Sequence, residues 1–214
     1  MPQSTDDLIA GLVDDLEPVT QLRQARGMAL ALGALVLGTA GMLFLYGPRA
    51  DLVTGQPDAM LLLSAGLFLV LGLASSWAVV DMARPAVGTR REGWGWTALM
   101  AAMFPLAALG AMVVAWLQSR PSGLDSAGIN CMRYGLVWSL VTFAALTLWL
   151  RRGAPMALAR AGLLTGVAAG SAGIFAVSLH CPHNDVVHIG IWHGVTVVLA
   201  GLLGRIAVPR LIAW

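Results

Sequence analysis

The sequence predicts an all-α, polytopic membrane protein: a six-transmembrane-helix bundle preceded by a short amphipathic helix. Hydrophobic residues make up 58% of the 214 residues and charged residues only 11%, whereas a soluble domain carries about 25% charged residues. Apolar runs of about 20 residues, the length of helix that crosses a bilayer, recur six times along the chain. Most of the eight tryptophans stand near the ends of these runs, as expected for side chains that favour the membrane interface.

Residues 1–26 are the only long polar segment and are predicted to form a separate cytoplasmic region. Ser4 or Thr5 is placed to cap a helix, and two aspartates follow in the first turn, where they favour its N-terminus. Apolar residues then recur at helical spacing, at Leu8, Ile9, Leu12, Val13 and Leu16. Because so short a helix is marginal in water, we expect its apolar face to dock on its own protein or on a partner.

Residues 27–214 contain the six predicted transmembrane helices, at about 27–46, 60–80, 94–117, 129–150, 155–179 and 186–208. If the N-terminus is cytoplasmic, the inner side carries Arg23, Arg26, Arg84, Arg90, Arg91, Arg151, Arg152, Arg205 and Arg210. The outer loops then keep only Arg49 and Arg120. Cytoplasmic loops are enriched in basic residues, so this asymmetry predicts that both termini lie in the cytoplasm.

All four histidines and one of the two cysteines lie within residues 180–193. The predicted topology puts Cys131 at the outer end of the fourth helix and Cys181 in the turn between the fifth and sixth, on the same side of the membrane. Two cysteines in an oxidising compartment can form a disulfide. Such a bond is compatible both with a permanent staple between helices and with a reversible sensor.

The same region is a candidate metal site. Thiolate and imidazole suit Zn(II), Cu(I) and other soft or borderline ions, and a tetrahedral site needs four ligands. The sequence offers Cys131, Cys181 and two of His180, His183 and His188. His193 is expected to face another side of the sixth helix from His188, since the two differ by five positions, and to hydrogen-bond between helices. A plain polar turn at the membrane interface is the alternative interpretation of His180 and His183.

The chain resembles the NrsF family of membrane anti-sigma factors in two places. Its segment Thr5-Asp6-Asp7-Leu8-Ile9-x-x-Leu12, followed by Glu17-Pro18-Val19, is similar to the N-terminus of that family. Cys131 and the turn His180-Cys181-x-His183 match the positions where the family carries its cysteines. The resemblance implies a protein of the bacterial inner membrane that restrains a sigma factor of the extracytoplasmic-function class.

The resemblance also implies a division of labour along the chain. The apolar residues Leu8, Ile9, Leu12, Val13 and Leu16 would bind in a groove of the sigma factor, as amphipathic helices do in other complexes. Cys131 and Cys181 would sense heavy-metal or oxidative stress, and their modification would release the sigma factor. No resident cofactor is implied, although a heavy-metal ion could bind transiently at the cysteine and histidine cluster.

Two other functions stay open at this point. A small metal transporter is disfavoured because the predicted spans contain few ionisable groups, which usually mark a path across the bilayer. A membrane redox or haem protein is disfavoured because haem ligands usually come from facing helices, whereas all four histidines here lie within residues 180–193.

No nucleophile–base pair, phosphate-binding glycine loop or pair of catalytic carboxylates is evident in the sequence, so enzyme activity is not expected. The net charge of +2 is spread over the loops, so direct binding of nucleic acid is not expected either.

Overall fold

The computed structural model describes residues 4–15, 22–84, 94–117 and 127–212. The described chain is helical, and the predicted all-α class is confirmed over these residues. The α-helices are α1 Thr5–Asp14, α2 Gln24–Tyr46, α3 Ala50–Val53, α4 Ala59–Met82, α5 Trp94–Leu117, α6 Ala127–Arg151, α7 Leu158–Ser178, α8 Val186–His188 and α9 Gly194–Ile212. A π-helical turn, Ile189–His193, joins α8 to α9.

Five helices of the described chain are long and apolar enough to cross a membrane. They are Gln24–Tyr46, Ala59–Met82, Ala127–Arg151, Leu158–Ser178 and Val186–Ile212, the last of which combines α8, the π-helical turn and α9. Each agrees with a predicted span to within about one helical turn at either end. The third predicted span coincides with α5, and a sixth crossing of the membrane at that helix stays a prediction.

α7 lies at the centre of the described bundle. Most of its residues are buried, and it packs against α9, α6 and α4. Glycines make this close packing possible, because a Cβ added at Gly166 would collide with the backbone of Ala200, and one at Gly162 with the backbone of Gly204. Small residues allow membrane helices to approach in this way.

One end of the bundle brings together the C-terminal ends of α2 and α7 and the N-terminal ends of α6 and α8; we call it the site end. The loop after α2 is anchored there, since the Arg49 N–H donates to the Leu179 carbonyl at 3.0 Å. α1 precedes α2, so the N-terminal segment joins the bundle at the opposite end of this 23-residue helix. A helix of that length spans about 35 Å.

α1 lies where the amphipathic helix was predicted. The Ser4 hydroxyl caps it by accepting a hydrogen bond from the Asp7 N–H at 3.2 Å. None of its residues is buried. The apolar side chains Leu8, Ile9, Leu12 and Val13 are 54% to 62% exposed, whereas the predicted partner-binding residue Leu16 lies outside the described residues.

Two boundaries depart from the prediction. The sixth span was expected to end at 208, before Pro209, yet α9 continues to Ile212 with Pro209 inside it. Proline removes one helical hydrogen bond, and only the last turn lies beyond it. The fifth span was expected to begin at 155 but α7 begins at Leu158. The Ala154 N–H instead donates to the Ala83 carbonyl at 2.9 Å, which holds the turn against the end of α4.

Candidate functional site

The two cysteines meet at the site end. Cys131 lies in the first turns of α6, and Cys181 lies in the connection between α7 and α8. Their Sγ atoms are 3.3 Å apart, and neither residue forms a disulfide bond. Cys131 is 8% exposed and Cys181 is 1% exposed. The pair that the topology predicted on one side of the bundle is therefore in direct contact and almost completely shielded.

The turn that carries Cys181 is held by a buried arginine. Nη1 of Arg49 donates to the Cys181 carbonyl at 2.8 Å, and Nη2 donates to Oδ1 of Asn184 at 3.0 Å. Its Nε donates to the Asp51 carboxylate at 2.6 Å, which balances the buried charge. The sequence places Arg49 in a predicted outer loop and does not reveal this role. The one signal in the sequence was that Arg49 lies on the side of the membrane predicted to carry few basic residues.

Asp51 stays ionised beside Arg49. Burial acts to raise the pKa of its carboxyl group, but the hydrogen bond from Arg49, a hydrogen bond from the Asp58 N–H at 3.1 Å and the positive charge of Arg49 act against it. The net effect is a pKa below the ordinary value. The ion pair therefore persists at neutral pH.

Two histidines complete a compact group with the cysteines. Nε2 of His188 lies 3.4 Å from the Cys181 Sγ, and the potential ligand atoms of Cys131, Cys181, His188 and His193 all lie within 4.8 Å of one another. His188 and His193 are buried, with 0% and 2% exposure. We call these four residues the sulfur–imidazole cluster.

The expectation that His188 and His193 face different sides of the helix is wrong. In an α-helix, residues five apart point about 140° away from each other, since each residue turns by about 100°. Here the intervening residues form a π-helical turn, whose hydrogen bonds join residues i and i+5 and so bring such pairs onto one face. Their rings lie 5.3 Å apart as a result.

The π-helical turn is packed against α6. A Cβ added at Gly128 would collide with the indole ring of Trp192, so the absence of a side chain at Gly128 leaves room for that ring. Asp185 holds the N-terminal side of the turn, because its side chain accepts a hydrogen bond from the His188 N–H at 2.7 Å. Both contacts place the histidines beside the start of α6, where Cys131 lies.

The other two histidines predicted as ligands lie outside the sulfur–imidazole cluster. Nδ1 of His180 is 2.9 Å from the Gly47 carbonyl, and its ring lies near that of Tyr46. The ring of His183 stacks on that of His188 with centroids 4.6 Å apart. His183, Asp185 and His188 form a second, more accessible group of potential ligands.

The cluster favours the thiolate form of Cys181. The Cys131 thiol, which donates to the Cys181 Sγ, lowers the pKa of the Cys181 thiol; burial opposes this, and His188 and His193 lower the pKa further. The net effect is a pKa well below the ordinary value of a thiol. Since the thiolate is the form that attacks oxidants and binds metals, the cluster is suited to both kinds of chemistry.

Comparison with known proteins identifies the family. The sequence model of NrsF, described as a negative regulator of sigma F, matches residues 12–214. The chain belongs to the NrsF family. This confirms the resemblance inferred from the N-terminal segment and the two cysteine positions.

A curated relative is similar over nearly the whole chain. The chain is 26% identical over 214 residues to the probable anti-sigma-F factor NrsF of Azospira oryzae, with 98% of this chain and 99% of the relative covered. No solved structure matches it with statistical significance. Membership of an anti-sigma factor family implies a sigma factor as partner, and such a family is a class of regulators and not of enzymes. The apolar helices fit a membrane protein.

Proposed function

We propose that this protein is an inner-membrane anti-sigma factor that responds to periplasmic heavy-metal or oxidative stress. Its N-terminal region, residues 1–26, holds a sigma factor of the extracytoplasmic-function class, and its transmembrane domain, residues 27–214, carries the sensor. Modification of Cys131 and Cys181 releases the sigma factor. The observation that carries the proposal is the buried contact of these two sulfurs, 3.3 Å apart, at the site end of the bundle.

The output lies in α1. Leu8, Ile9, Leu12 and Val13 remain exposed, which is costly for a helix without a partner and suitable for a helix that binds in an apolar groove. The acidic residues Asp6 and Asp7 in its first turn disfavour binding to an anionic membrane surface. An apolar groove on a protein is therefore a better binding site for this helix than the membrane surface.

The input and the output lie on opposite sides of the bilayer. α2 is one of the candidate membrane spans, with the N-terminal segment before it and the loop that anchors Cys181 after it. The distribution of arginines favours a cytoplasmic N-terminus, because cytoplasmic loops are enriched in basic residues. The cysteines then face the periplasm, and the sigma factor is held on the cytoplasmic side.

Oxidation gives the simplest chemical step. Hydrogen peroxide, as a representative two-electron oxidant, takes two electrons and two protons from the thiols, and the products are one disulfide and two water molecules. The sulfurs must approach from 3.3 Å to about 2.05 Å. This draws the start of α6 toward the turn after α7. A response follows if the oxidised state favours a different arrangement of the helices.

α2 provides a physical connection from the sensor to α1. It packs on α6 at both of its ends, where Gly41 faces the Trp138 ring and Gly27 faces the Trp149 ring. A shift of α6 relative to α7 therefore moves the surface on which α2 rests. α2 is also the helix that follows the sigma-binding segment.

Two variants test the proposal in cells with a reporter of sigma-dependent transcription. Deletion of residues 1–22 should switch the reporter on permanently, and unchanged transcription would refute the sigma-binding role. Replacement of Cys131 and Cys181 by serine should abolish induction by oxidant or metal, while immunoblots show the protein still in the membrane fraction. Normal induction in that variant would reduce the cysteines to a structural contact.

A further inference from the structure

We infer that Cys131, Cys181, His188 and His193 together form a buried binding site for one divalent cation of the Zn(II) class. The inference rests on the proposed function for its biological role and deepens it by naming the ligand that the sensing cysteines hold. It also changes the ligand set expected from the sequence. His193 replaces His180 and His183 as the fourth ligand.

The spacing of the ligand atoms fits a tetrahedral ion. Zn–S bonds of about 2.3 Å and Zn–N bonds of about 2.0–2.1 Å place the four ligand atoms of such a site about 3.3–3.8 Å from one another. The Sγ atoms of Cys131 and Cys181 are 3.3 Å apart, and the Cys181 Sγ lies 3.4 Å from Nε2 of His188. All four ligand atoms lie within 4.8 Å of one another. Shifts of side chains alone would complete the coordination.

His193 supplies an independent observation. Both of its ring nitrogens are buried, and although the ring lies close to Cys181, neither nitrogen has a hydrogen bond of acceptable length and angle with the residues that the structure describes. Buried polar atoms are nearly always paired, and an unpaired one needs an explanation. A metal ion bonded to one ring nitrogen satisfies a group that the described protein atoms leave unsatisfied.

The π-helical turn gives the same indication. Single π-helical turns within α-helices are rare and often occur at functional sites. Here the turn Ile189–His193 has a specific consequence, which is to bring His193 onto the face that carries His188. A regular α-helix would direct His193 away from Cys131 and Cys181.

The burial of the site selects the charge of the ion. All four ligands are buried, and a net charge in such a place is costly. The two thiolates carry two negative charges and the two imidazoles are neutral. A dication therefore gives a site with no net charge, whereas Cu(I) would leave one negative charge. Arg49 does not supply the missing charge, because it is already paired with Asp51 at 2.6 Å. Zn(II) and its softer homologues Cd(II) and Hg(II) meet this condition.

Metal binding and disulfide formation exclude each other at this site. The two thiolates lose two electrons as the S–S bond forms, and hydrogen peroxide takes these electrons with two protons to become two water molecules. The cation leaves because its sulfur ligands are gone. Oxidants and competing thiophilic cations would thus act on one cluster, the former by expelling the ion and the latter by replacing it.

The test uses the full-length protein, purified in detergent under reducing conditions and freed of metal with a chelator. We expect it to bind one equivalent of Zn(II). Co(II), used as a spectroscopic probe, should give the visible absorption of a tetrahedral site together with thiolate-to-cobalt charge transfer. His193→Ala should weaken binding by more than the roughly 10–100-fold that loss of a second-shell contact costs.

His180→Ala is the matched control, since His180 lies in the same turn but contacts the Gly47 carbonyl instead; it should bind Co(II) as the wild type does. Cys131→Ser is a second variant of almost unchanged size; it should bind Co(II) more weakly and show a smaller thiolate-to-cobalt absorption, since only the Cys181 thiolate remains. Failure of the wild type to bind either ion, or wild-type binding by His193→Ala, would overturn the inference. No sigma factor is present, so this failure leaves the proposed function intact. Conversely, if the wild type binds one equivalent of Zn(II) but the cysteine variants still respond normally in cells, this pair of results would refute the proposed function alone.

Discussion

The imidazole rings of His188 and His193 lie 5.3 Å apart and nearly perpendicular to each other, although the two residues are five positions apart in the chain. The π-helical turn between them accounts for this proximity. It brings the second histidine to the two cysteines and converts a sulfur pair into a four-residue cluster.

Arg49→Lys is expected to destabilise the site end. A lysine has one donor nitrogen and cannot reproduce the planar fork that reaches the Cys181 carbonyl and Asn184. Hydrogen bonds to charged groups contribute about 1.5–3 kcal/mol each, so we expect the free energy of unfolding in detergent to fall by about 2 kcal/mol. Arg205→Lys, at an exposed position, is the control. Equal stability of the two variants would show that the guanidinium does not hold the Cys181 turn.

The Asp51–Arg49 pair should lose its contribution to stability in acid. The pKa of Asp51 is held below its ordinary value of 3.8, so the contribution is fully present above that value and is lost as the pH falls through the lower, folded-state pKa. Asp51→Asn should be less stable than the wild type at neutral pH. The difference in melting temperature between the two should shrink below about pH 4. A constant difference across this range would contradict the assignment.

Gly166→Ala should weaken the central packing. The added methyl group would collide with the backbone of Ala200 in α9, which cannot move aside as a flexible side chain would. Overpacking of this kind costs about 1–3 kcal/mol, measured as a lower free energy of unfolding. Gly33→Ala is the control, since a Cβ there meets nothing within 4 Å and should gain up to about 1 kcal/mol of helix propensity. Equal effects at the two positions would refute the close approach of α7 and α9.

Ser4→Ala should weaken the binding of the sigma factor. The Ser4 hydroxyl caps α1, and loss of such a cap costs about 1 kcal/mol. If α1 binds as a helix, the dissociation constant should rise about fivefold, measured with the full-length protein in detergent. Thr5→Ala, one position inside the helix, should have a smaller effect. An unchanged affinity for Ser4→Ala would show that the segment is not bound as this helix.

The sequence predicted those features that depend on local composition. Apolar runs placed α2, α4, α6, α7 and α9, because crossing a bilayer requires a continuous apolar helix of fixed length. The placement of Cys131 and Cys181 on one side of the bundle followed from topology alone, since one lies at the start of a helix and the other in the turn between two helices; their contact at 3.3 Å is seen only in the structure.

The sequence did not predict the features that depend on tertiary packing. His193 was placed on the wrong face because the π-helical turn has no signature in residue spacing. Trp192, which packs on Gly128, is part of that turn. Arg49 was treated as a loop residue, although two of its side-chain hydrogen bonds join segments more than a hundred residues apart. Neither contact leaves a pattern that can be seen within one helix or one loop.

Release of the bound sigma factor from the reconstituted protein shows whether Cys131 and Cys181 control its retention. The full-length protein is placed in lipid nanodiscs with its sigma factor bound, and the retained sigma factor is measured before and after hydrogen peroxide is added. We expect release from the wild type, reversal by a thiol reductant, and retention by the Cys131→Ser, Cys181→Ser double variant. Retention by the oxidised wild type, or equal release from the double variant, would show that the cysteines do not control sigma-factor binding.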